Sequence, residues 1–272
     1  MLAIVENRAV DIPLIQMALL FLFLAIPLFL MWRLRVSLRK KLLISTARMA
    51  IQLTLVGLYL GYLFKLNNIF VNILWLAVMI FVASAHIIKS AHLRQRELFT
   101  SVFYALILAM LVVLVPFVTG IIRPEKFYDA RYMIPLGGML LGNSLSANIV
   151  ALNHYVSSLK EQKQSIQTAF CFGATRYEAT LPFLRQAFNR AITPTVTTIG
   201  TLGLVSLPGM MTGQMLGGSV PTVAIKYQIA IMIAIVTACS LSIFLTLLFI
   251  TRRIFDQRDN IRLDMFKDNN QN

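Results

Sequence analysis

The sequence has little charge, and acidic residues are especially scarce. Of its 272 residues 13% are charged, with 11 Asp and Glu against 25 Lys and Arg, whereas 58% are hydrophobic. An ordinary soluble domain is about 25% charged and about 45–50% apolar. The composition therefore excludes such a domain and predicts one polytopic membrane domain over residues 1–272, with the lipid bilayer as its main partner. The basic excess follows from membrane topology and does not predict nucleic-acid binding.

Reactive motifs are also missing. The two cysteines, Cys171 and Cys239, have no spacing typical of a zinc site. The chain lacks a phosphate-binding loop, a zinc-protease motif and a nucleophile elbow. No predicted span contains a carboxylate, which argues against a proton-driven carrier but leaves sodium sites built from carbonyls and hydroxyls open. We therefore expect a chain that is not an enzyme and binds no cofactor of its own.

Long apolar runs predict an all-α membrane protein with about seven transmembrane helices, because about 20 apolar residues cross a bilayer. The predicted spans are 14–32, 42–64, 69–88, 98–122, 132–155, 191–211 and 227–250, and residues 156–190 form the only sizeable loop. Eighteen of the 25 basic residues fall in 33–41, 89–97, 156–190 and the C-terminal tail. The positive-inside rule then places the N-terminus outside, the C-terminus inside and the long loop in the cytoplasm.

Small and polar residues occur within several spans. Arg48 either snorkels to the interface, hydrogen-bonds to Gln52 in helix packing, or takes part in gating. Small residues recur every four positions in the fifth and seventh spans, as in grooves where helices pack closely: Gly138, Gly142 and Ser146, then Ala230, Ala234 and Ala238. Beside the first set lie candidates for a translocation path or for interhelical hydrogen bonds: Asn143, Ser144 and Asn148.

The segment 203–221, "GLVSLPGMMTGQMLGGSVP", contains five glycines and two prolines. We expect Pro208 and Gly209 to end the sixth span, and the irregular chain up to residue 221 to line an outer vestibule or form a gate. Gln214 is a further candidate for the translocation path. Three thioethers either contact a soft metal or fill gaps in the packing: Met210, Met211 and Met215.

The loop 156–190 predicts two helices with a sharp turn at Gly173. Thr175 is expected to cap the second helix, with Glu178 three residues later as its capping-box partner. The apolar Phe172 beside charged residues suits docking into a groove of another protein.

Several segments resemble the FetB-type iron-export permeases of ABC transporters, a family related to plant aluminium-sensitivity and STAR2-like permeases. They are "ARMAIQL" (47–53), "MIPLGGMLLGNSLSANIVAL" (133–152), "FGATRYEA" (172–179) and "GLVSLPGMMTGQMLGG" (203–218). Ala169 and Gly173 also have the spacing of the "EAA---G" loop of ABC permeases. The resemblance implies that the loop is a coupling helix that docks on an ATPase through Ala169, Phe172, Gly173, Ala174, Thr175 and Glu178.

The resemblance further implies a homodimeric permease in the bacterial inner membrane, paired with two copies of a separate ATPase that binds ATP and Mg. The expected activity is export of iron or another metal ion. Two alternatives stay open: an ABC permease for a nucleotide sugar or other small solute, and a stand-alone sodium-coupled or facilitative carrier.

Overall fold

The computed structural model describes residues 12–91, 93 and 95–255, and these residues confirm the all-α class. Two segments of other helical geometry interrupt or extend the α-helices, a 3-10 turn at Phe21–Leu24 and a π-helical turn at Phe117–Ile122. The α-helices are α1 (Leu14–Leu20), α2 (Ala25–Arg33), α3 (Arg39–Leu66), α4 (Ile69–Ser90), α5 (Gln95–Pro116), α6 (Ala130–Glu161), α7 (Lys163–Cys171), α8 (Arg176–Thr201), α9 (Gly209–Leu216) and α10 (Pro221–Ile254).

Six helices of the described residues are long and apolar enough to cross a membrane. They are Ile15–Arg33, Arg39–Leu66, Ile69–Ser90, Leu98–Ile122, Ala130–Glu161 and Pro221–Ile254, and each contains or overlaps one predicted span. No such helix covers the predicted span 191–211. The helix at this place, α8, runs without a break from Arg176 to Thr201, so it starts inside the predicted loop and ends before residue 211. Its charged and threonine residues keep its hydropathy low.

Five long helices form the core of the bundle. Helix α10 packs against α5, α6 and α8, and α4 packs against α5 and α6. Ala234 and Ala238 are buried on α10, and Ala187 and Ala191 are buried on α8. Small side chains at these positions let neighbouring helices approach closely, which maximises dispersion contacts where water supplies no driving force between helices.

Helices α1 to α3 lie at the edge of this bundle. Helix α3 joins it through its C-terminal end, where Leu63 is buried against Ala130 and Ile134. The rings of Tyr59 and Trp75 also meet there, with centroids 4.6 Å apart. Most apolar side chains on the rest of α1, α2 and α3 are exposed in the single chain. In a membrane such surfaces are covered by lipid or by another protein chain.

Two hydrogen bonds hold the start of α4 against the start of α6. The Asn72 amide nitrogen donates to the carbonyl oxygen of Tyr128 at 2.7 Å, and the Ala130 backbone nitrogen donates to the Asn67 side chain at 3.1 Å. The starts of α4 and α6 therefore lie together. We call this end of the bundle, where α9 also lies, the α9 face. At the opposite end, the α7 face, Phe170 meets Phe255 edge-on at 5.7 Å.

Helices α6 and α10 are parallel, and α8 runs antiparallel to both. In the contacts between α6 and α10, the residue numbers rise together along both helices. The pairs are Ser144 with Cys239, Asn148 with Ser242, and Tyr155 with Thr251. The start of α8 shares a groove with the end of α10, and the end of α8 shares another with the start of α10. Helix α8 therefore runs back through the bundle and connects the two parallel helices. At 1.5 Å per residue it is about 39 Å long, longer than the about 30 Å of a hydrocarbon core.

Candidate functional site

The connection between α7 and α8 is a tight helical hairpin, with the predicted turn and capping box both present. Gly173 has φ +84°, a left-handed conformation that side chains with a Cβ rarely adopt. The Thr175 backbone nitrogen donates to the Glu178 carboxylate at 2.8 Å, and the Thr175 hydroxyl donates to it at 2.7 Å. The Glu178 nitrogen donates back to the Thr175 hydroxyl at 3.3 Å. These bonds lower the pKa of Glu178 below its ordinary value.

The hairpin is anchored on one side and exposed on the other. Ile166 is buried, and Ala169 and Ala174 pack partly buried against the core. By contrast, Phe172 at the tip is 87% exposed. The predicted docking residues thus divide into two groups, because the alanines face the chain's own core while Phe172 faces outward. A large aromatic side chain held out by a rigid turn is typical of an interaction anchor.

A row of buried polar groups joins α6 to α10. The Asn148 amide nitrogen donates to Ser242 Oγ at 2.9 Å and to the Ser144 carbonyl oxygen at 2.8 Å. Tyr155 and Thr251 share a hydrogen bond of 2.6 Å. Asn148 Oδ1 and Thr246 Oγ1 are buried without a hydrogen-bond partner. Asn148 and Ser144 are therefore interhelical contacts in this state, which was one of the two interpretations left open by the sequence.

Asn143 lies apart from this row. Its side chain is exposed and donates to the carbonyl oxygen of Met139 in its own helix at 2.8 Å. Gly142 and Ser146 are also exposed, and a Cβ on Gly142 would meet no atom within 4 Å. This part of the small-residue stripe therefore has no helix packed on it in the single chain.

Sequence reasoning missed the glycine that does permit close packing. A Cβ on Gly137 would come within 2.6 Å of Leu76 Cδ2, whereas one on Gly138 would lie 3.3 Å from Met79 Cε. Glycine at position 137 therefore leaves room for the end of the Leu76 side chain between α4 and α6. The four-residue spacing indicated Gly138 and Gly142, whereas the more closely packed glycine is Gly137, next to Gly138.

The structure corrects the prediction for the segment 203–221. Pro208 and Gly209 do not end a helix; α8 already ends at Thr201, Pro208 is the N-cap of α9 and Gly209 is its first residue. The irregular chain is limited to short turns on either side of α9, where Gly203 has φ +85° and Gly218 has φ +91°. The proline begins a helix because it lacks a backbone donor that the first turn would leave unpaired, as Pro221 does for α10.

Helix α9 separates two cavities, and the three methionines do not converge. One cavity, of about 300 Å³, is lined by Arg131, Tyr132, Pro135, Leu136, Met210, Gln214, Ser219, Val223 and Tyr227. The other, of about 470 Å³, is lined by residues of α8, the following turn, α9 and α10, including Met211, Gln228 and Met232. Gln228 is buried, and its Oε1 has no hydrogen-bond partner. Met215 lines neither cavity, while Gln228 and Met232 were not recognised from the sequence.

The polar pair of the second predicted span lies on the surface of the single chain. Arg48 and Gln52 are both exposed on α3. The described residues also contain no group of three or more His, Cys, Asp or Glu side chains placed to hold a metal ion.

Comparison with known proteins identifies the family. A relative from Synechocystis, a UPF0014 membrane protein, is 33% identical over 225 residues, which cover 83% of this chain and 87% of that protein. The Escherichia coli protein named probable iron export permease protein FetB is 28% identical over 252 residues, covering 93% of this chain and 96% of FetB. Arabidopsis thaliana ALUMINUM SENSITIVE 3 is 30% identical over 213 residues, covering 76% of this chain and 74% of that protein.

No solved structure gives a significant match. The family model described as Uncharacterised protein family (UPF0014) matches residues 14–255. With six helices able to cross a membrane, this multi-pass membrane protein belongs to the UPF0014 family.

Proposed function

We propose that this protein is the membrane-spanning permease subunit of an ATP-driven transporter that exports iron or another metal ion. A separate ATPase subunit docks on the α7–α8 hairpin, and that subunit binds ATP and Mg. The observation that carries the proposal is the exposed aromatic tip on a turn fixed by Gly173 and by the Thr175–Glu178 capping box. The name of the Escherichia coli relative supports metal export as the activity.

The hairpin has the mechanical properties that coupling to an ATPase needs. Helix α8 continues from the turn to the α9 face without a break, so it connects the hairpin directly to the cavities beside α9. Two prolines, Pro182 and Pro194, lie inside α8 and remove backbone hydrogen bonds. Such positions let a helix bend when one end is pushed. Motion at the hairpin is thereby transmitted to the cavities beside α9.

Those two cavities are the candidate openings of the translocation path at the α9 face. Tyr132, Gln214 and Tyr227 give the 300 Å³ cavity a polar lining at the α9 face. In the 470 Å³ cavity, Gln228 offers a buried amide oxygen beside the thioethers of Met211 and Met232. Thioethers are ligands for softer metal ions, and the amide oxygen is a harder donor to a cation. Asn143, a path candidate from the sequence, lines neither cavity, and neither does Met215.

We further propose that two copies assemble in the bacterial inner membrane. The open surface at Gly142 and Ser146, and the exposed apolar faces of α1 to α3, support this arrangement. Small residues on a membrane helix permit close contact with a second helix.

Reconstitution with the ATPase tests the proposal. The permease is expressed with an ATPase subunit identified by its co-purification with the permease, and both ATPase stimulation and ATP-dependent flux into inverted vesicles are measured for Fe(II), other metal ions and nucleotide sugars. Gly173→Leu should remove ATPase stimulation while membrane insertion stays normal, because leucine at φ +84° distorts the hairpin. Gly120→Ala, at a position where an added Cβ meets no atom within 4 Å and which lies outside the hairpin and the proposed contact between copies, is the glycine control and should keep ATPase stimulation.

The outcomes separate the alternatives. Undiminished stimulation by Gly173→Leu would reject the hairpin as the docking element. Flux that needs no ATPase would show a sodium-coupled or facilitative carrier. ATP-dependent flux of a nucleotide sugar but of no metal ion would keep the permease assignment and replace the substrate.

A further inference from the structure

A groove of about 490 Å³ lies between the first half of α8 and the last third of α10, at the α7 face. It is distinct from the two cavities beside α9 and from the exposed hairpin tip. Its lining is Tyr177, Leu181, Leu184, Arg185, Phe188, Asn189, Phe244, Leu247 and Leu248. Three polar side chains and six apolar ones therefore face the same space.

The polar lining comes from one helix. Tyr177, Arg185 and Asn189 all belong to α8, and all three are exposed. Together they offer a guanidinium, a phenol hydroxyl and an amide, which are donors to an anionic oxygen. Arg185 supplies the positive charge, and arginine binds phosphate through two parallel N–H bonds.

The apolar lining lies at membrane depth. Leu248 is four residues before Arg252 on α10, about 6 Å along the helix. Arg252 and Arg253 end the apolar run of α10, so they indicate the membrane surface on this face. Phe244 and Leu247 lie further inside. An occupant of the groove consequently meets charge near the membrane surface and hydrocarbon beneath it.

From this arrangement we infer that the groove binds one anionic phospholipid, with the headgroup phosphate on Arg185 and an acyl chain along Phe188, Phe244 and Leu248. A basic pocket between membrane helices beside an interface is a known setting for acidic lipid headgroups. The exposed side chains of Tyr177, Arg185 and Phe244 show that the groove reaches the surface of the single chain. Because the lipid contacts α8 directly above the hairpin, it stabilises one position of that helix relative to α10. The inference does not depend on the transported substrate.

Native mass spectrometry of the detergent-solubilised full chain tests the site. The probes are phosphatidylglycerol, phosphatidylcholine with the same acyl chains, and inorganic phosphate. The wild-type chain should retain one phosphatidylglycerol in preference to phosphatidylcholine. Arg185→Gln should weaken phosphatidylglycerol binding about fivefold, the equivalent of the about 1 kcal/mol that one basic side chain contributes near an anionic lipid surface. Arg185→Lys should restore most of the binding.

The chain offers a matched control. Arg190 lies on the same helix, is exposed and does not line the groove, so Arg190→Gln should leave phosphatidylglycerol binding within about twofold of wild type. Leu248→Trp should fill the apolar part and reduce binding without removing the charge. Circular dichroism and monodisperse elution check that each variant is folded.

Four results would overturn the inference. Equal retention of both lipids would show a nonspecific acyl-chain groove. Equal losses in the Arg185 and Arg190 variants would show general surface attraction. Displacement of the lipid by millimolar inorganic phosphate would identify a headgroup-only anion site. A dimer that excludes lipid and dissociates on Arg185→Gln would show that a second copy of the chain fills the groove.

Discussion

At the scale of single residues, the clearest test of packing is the contrast between Gly137 and Gly142. Gly137→Val should lower the free energy of unfolding by about 1–3 kcal/mol, because valine forces the Leu76 side chain and α4 away from α6. Gly142→Val places the same side chain where no atom lies within 4 Å, so the folded single chain should be nearly unaffected. Thermal unfolding in detergent, followed by circular dichroism, measures both. Equal destabilisation would contradict the described α4–α6 contact.

The capping box predicts an acid-sensitive hairpin. Hydrogen bonds from Thr175 lower the pKa of Glu178 below its ordinary value, so the charged carboxylate stabilises the start of α8 at higher pH. That stabilisation is lost as the pH falls through the lowered pKa. The backbone amides of residues 176–179 should therefore lose protection from hydrogen exchange in acid, as the pH falls below the ordinary range for a glutamate side chain. Glu178→Gln retains an acceptor but does not titrate, and it should abolish this pH dependence; an unchanged acid response would assign it to another group.

At the scale of elements, the sequence was informative wherever a local rule governs the backbone. The hairpin turn at Gly173 and its capping box follow from residues within six positions of each other, and both were predicted. The end of α8 was not predicted, because proline has two opposite effects. It stops a helix that precedes it, and it can also begin the helix that follows, as Pro208 does. The Gly203 turn decides between them by ending α8 first, and the sequence "GLVSLPG" does not reveal whether Gly203 or Gly209 adopts positive φ.

This turn yields an element-scale prediction. Gly203 has φ +85°, and its nitrogen donates to the Ser206 carbonyl oxygen at 3.0 Å. Gly203→Ala should cost about 1–2 kcal/mol of backbone strain although the space around a Cβ is open. It should also reduce flux, because it shifts the end of α8 against the 470 Å³ cavity. Gly213→Ala, inside α9 with open space around it, is the control and should leave unfolding and flux nearly unchanged. Loss of flux in the control alone would locate the sensitive element in α9.

Long-range contacts explain why the candidate sites were harder to predict than the helices. Asn148 was recognised as polar in an apolar helix, but its partner Ser242 is 94 positions away, and no local pattern pairs them. Likewise, Met211 and Met210 are adjacent in sequence yet face different cavities on either side of α9. Helical periodicity gives the direction of each side chain relative to its own helix. It does not give the neighbour that the side chain meets.

At the scale of the whole molecule, the parallel arrangement of α6 and α10 requires the chain to return between them. Helix α8 makes that return although its hydropathy is too low for it to count among the six apolar helices. One of its faces packs on α6 and α10, so its polar residues can be kept from lipid by protein or by a water-filled path. Counting α8 as a crossing gives the seven spans predicted from the sequence, an odd number that places the start of α1 and the end of α10 on opposite sides of the membrane.

Cysteine labelling tests this arrangement with residues that the structure describes, since positions 1–11 and 256–272 lie outside them. Cys171 is naturally exposed beside the hairpin, and Cys239 is buried. In a Cys239→Ser background, a membrane-impermeant maleimide should label Cys171 only from the cytoplasmic side. With Cys171 also replaced by serine, Ser219→Cys on the α9 face should be labelled in intact cells. Labelling of both positions from one side would contradict a crossing of the membrane by α8. Labelling with the two sides exchanged would preserve the bundle but reverse its orientation, and the basic residues at 33–41 and 156–190 would then face outward against the positive-inside rule.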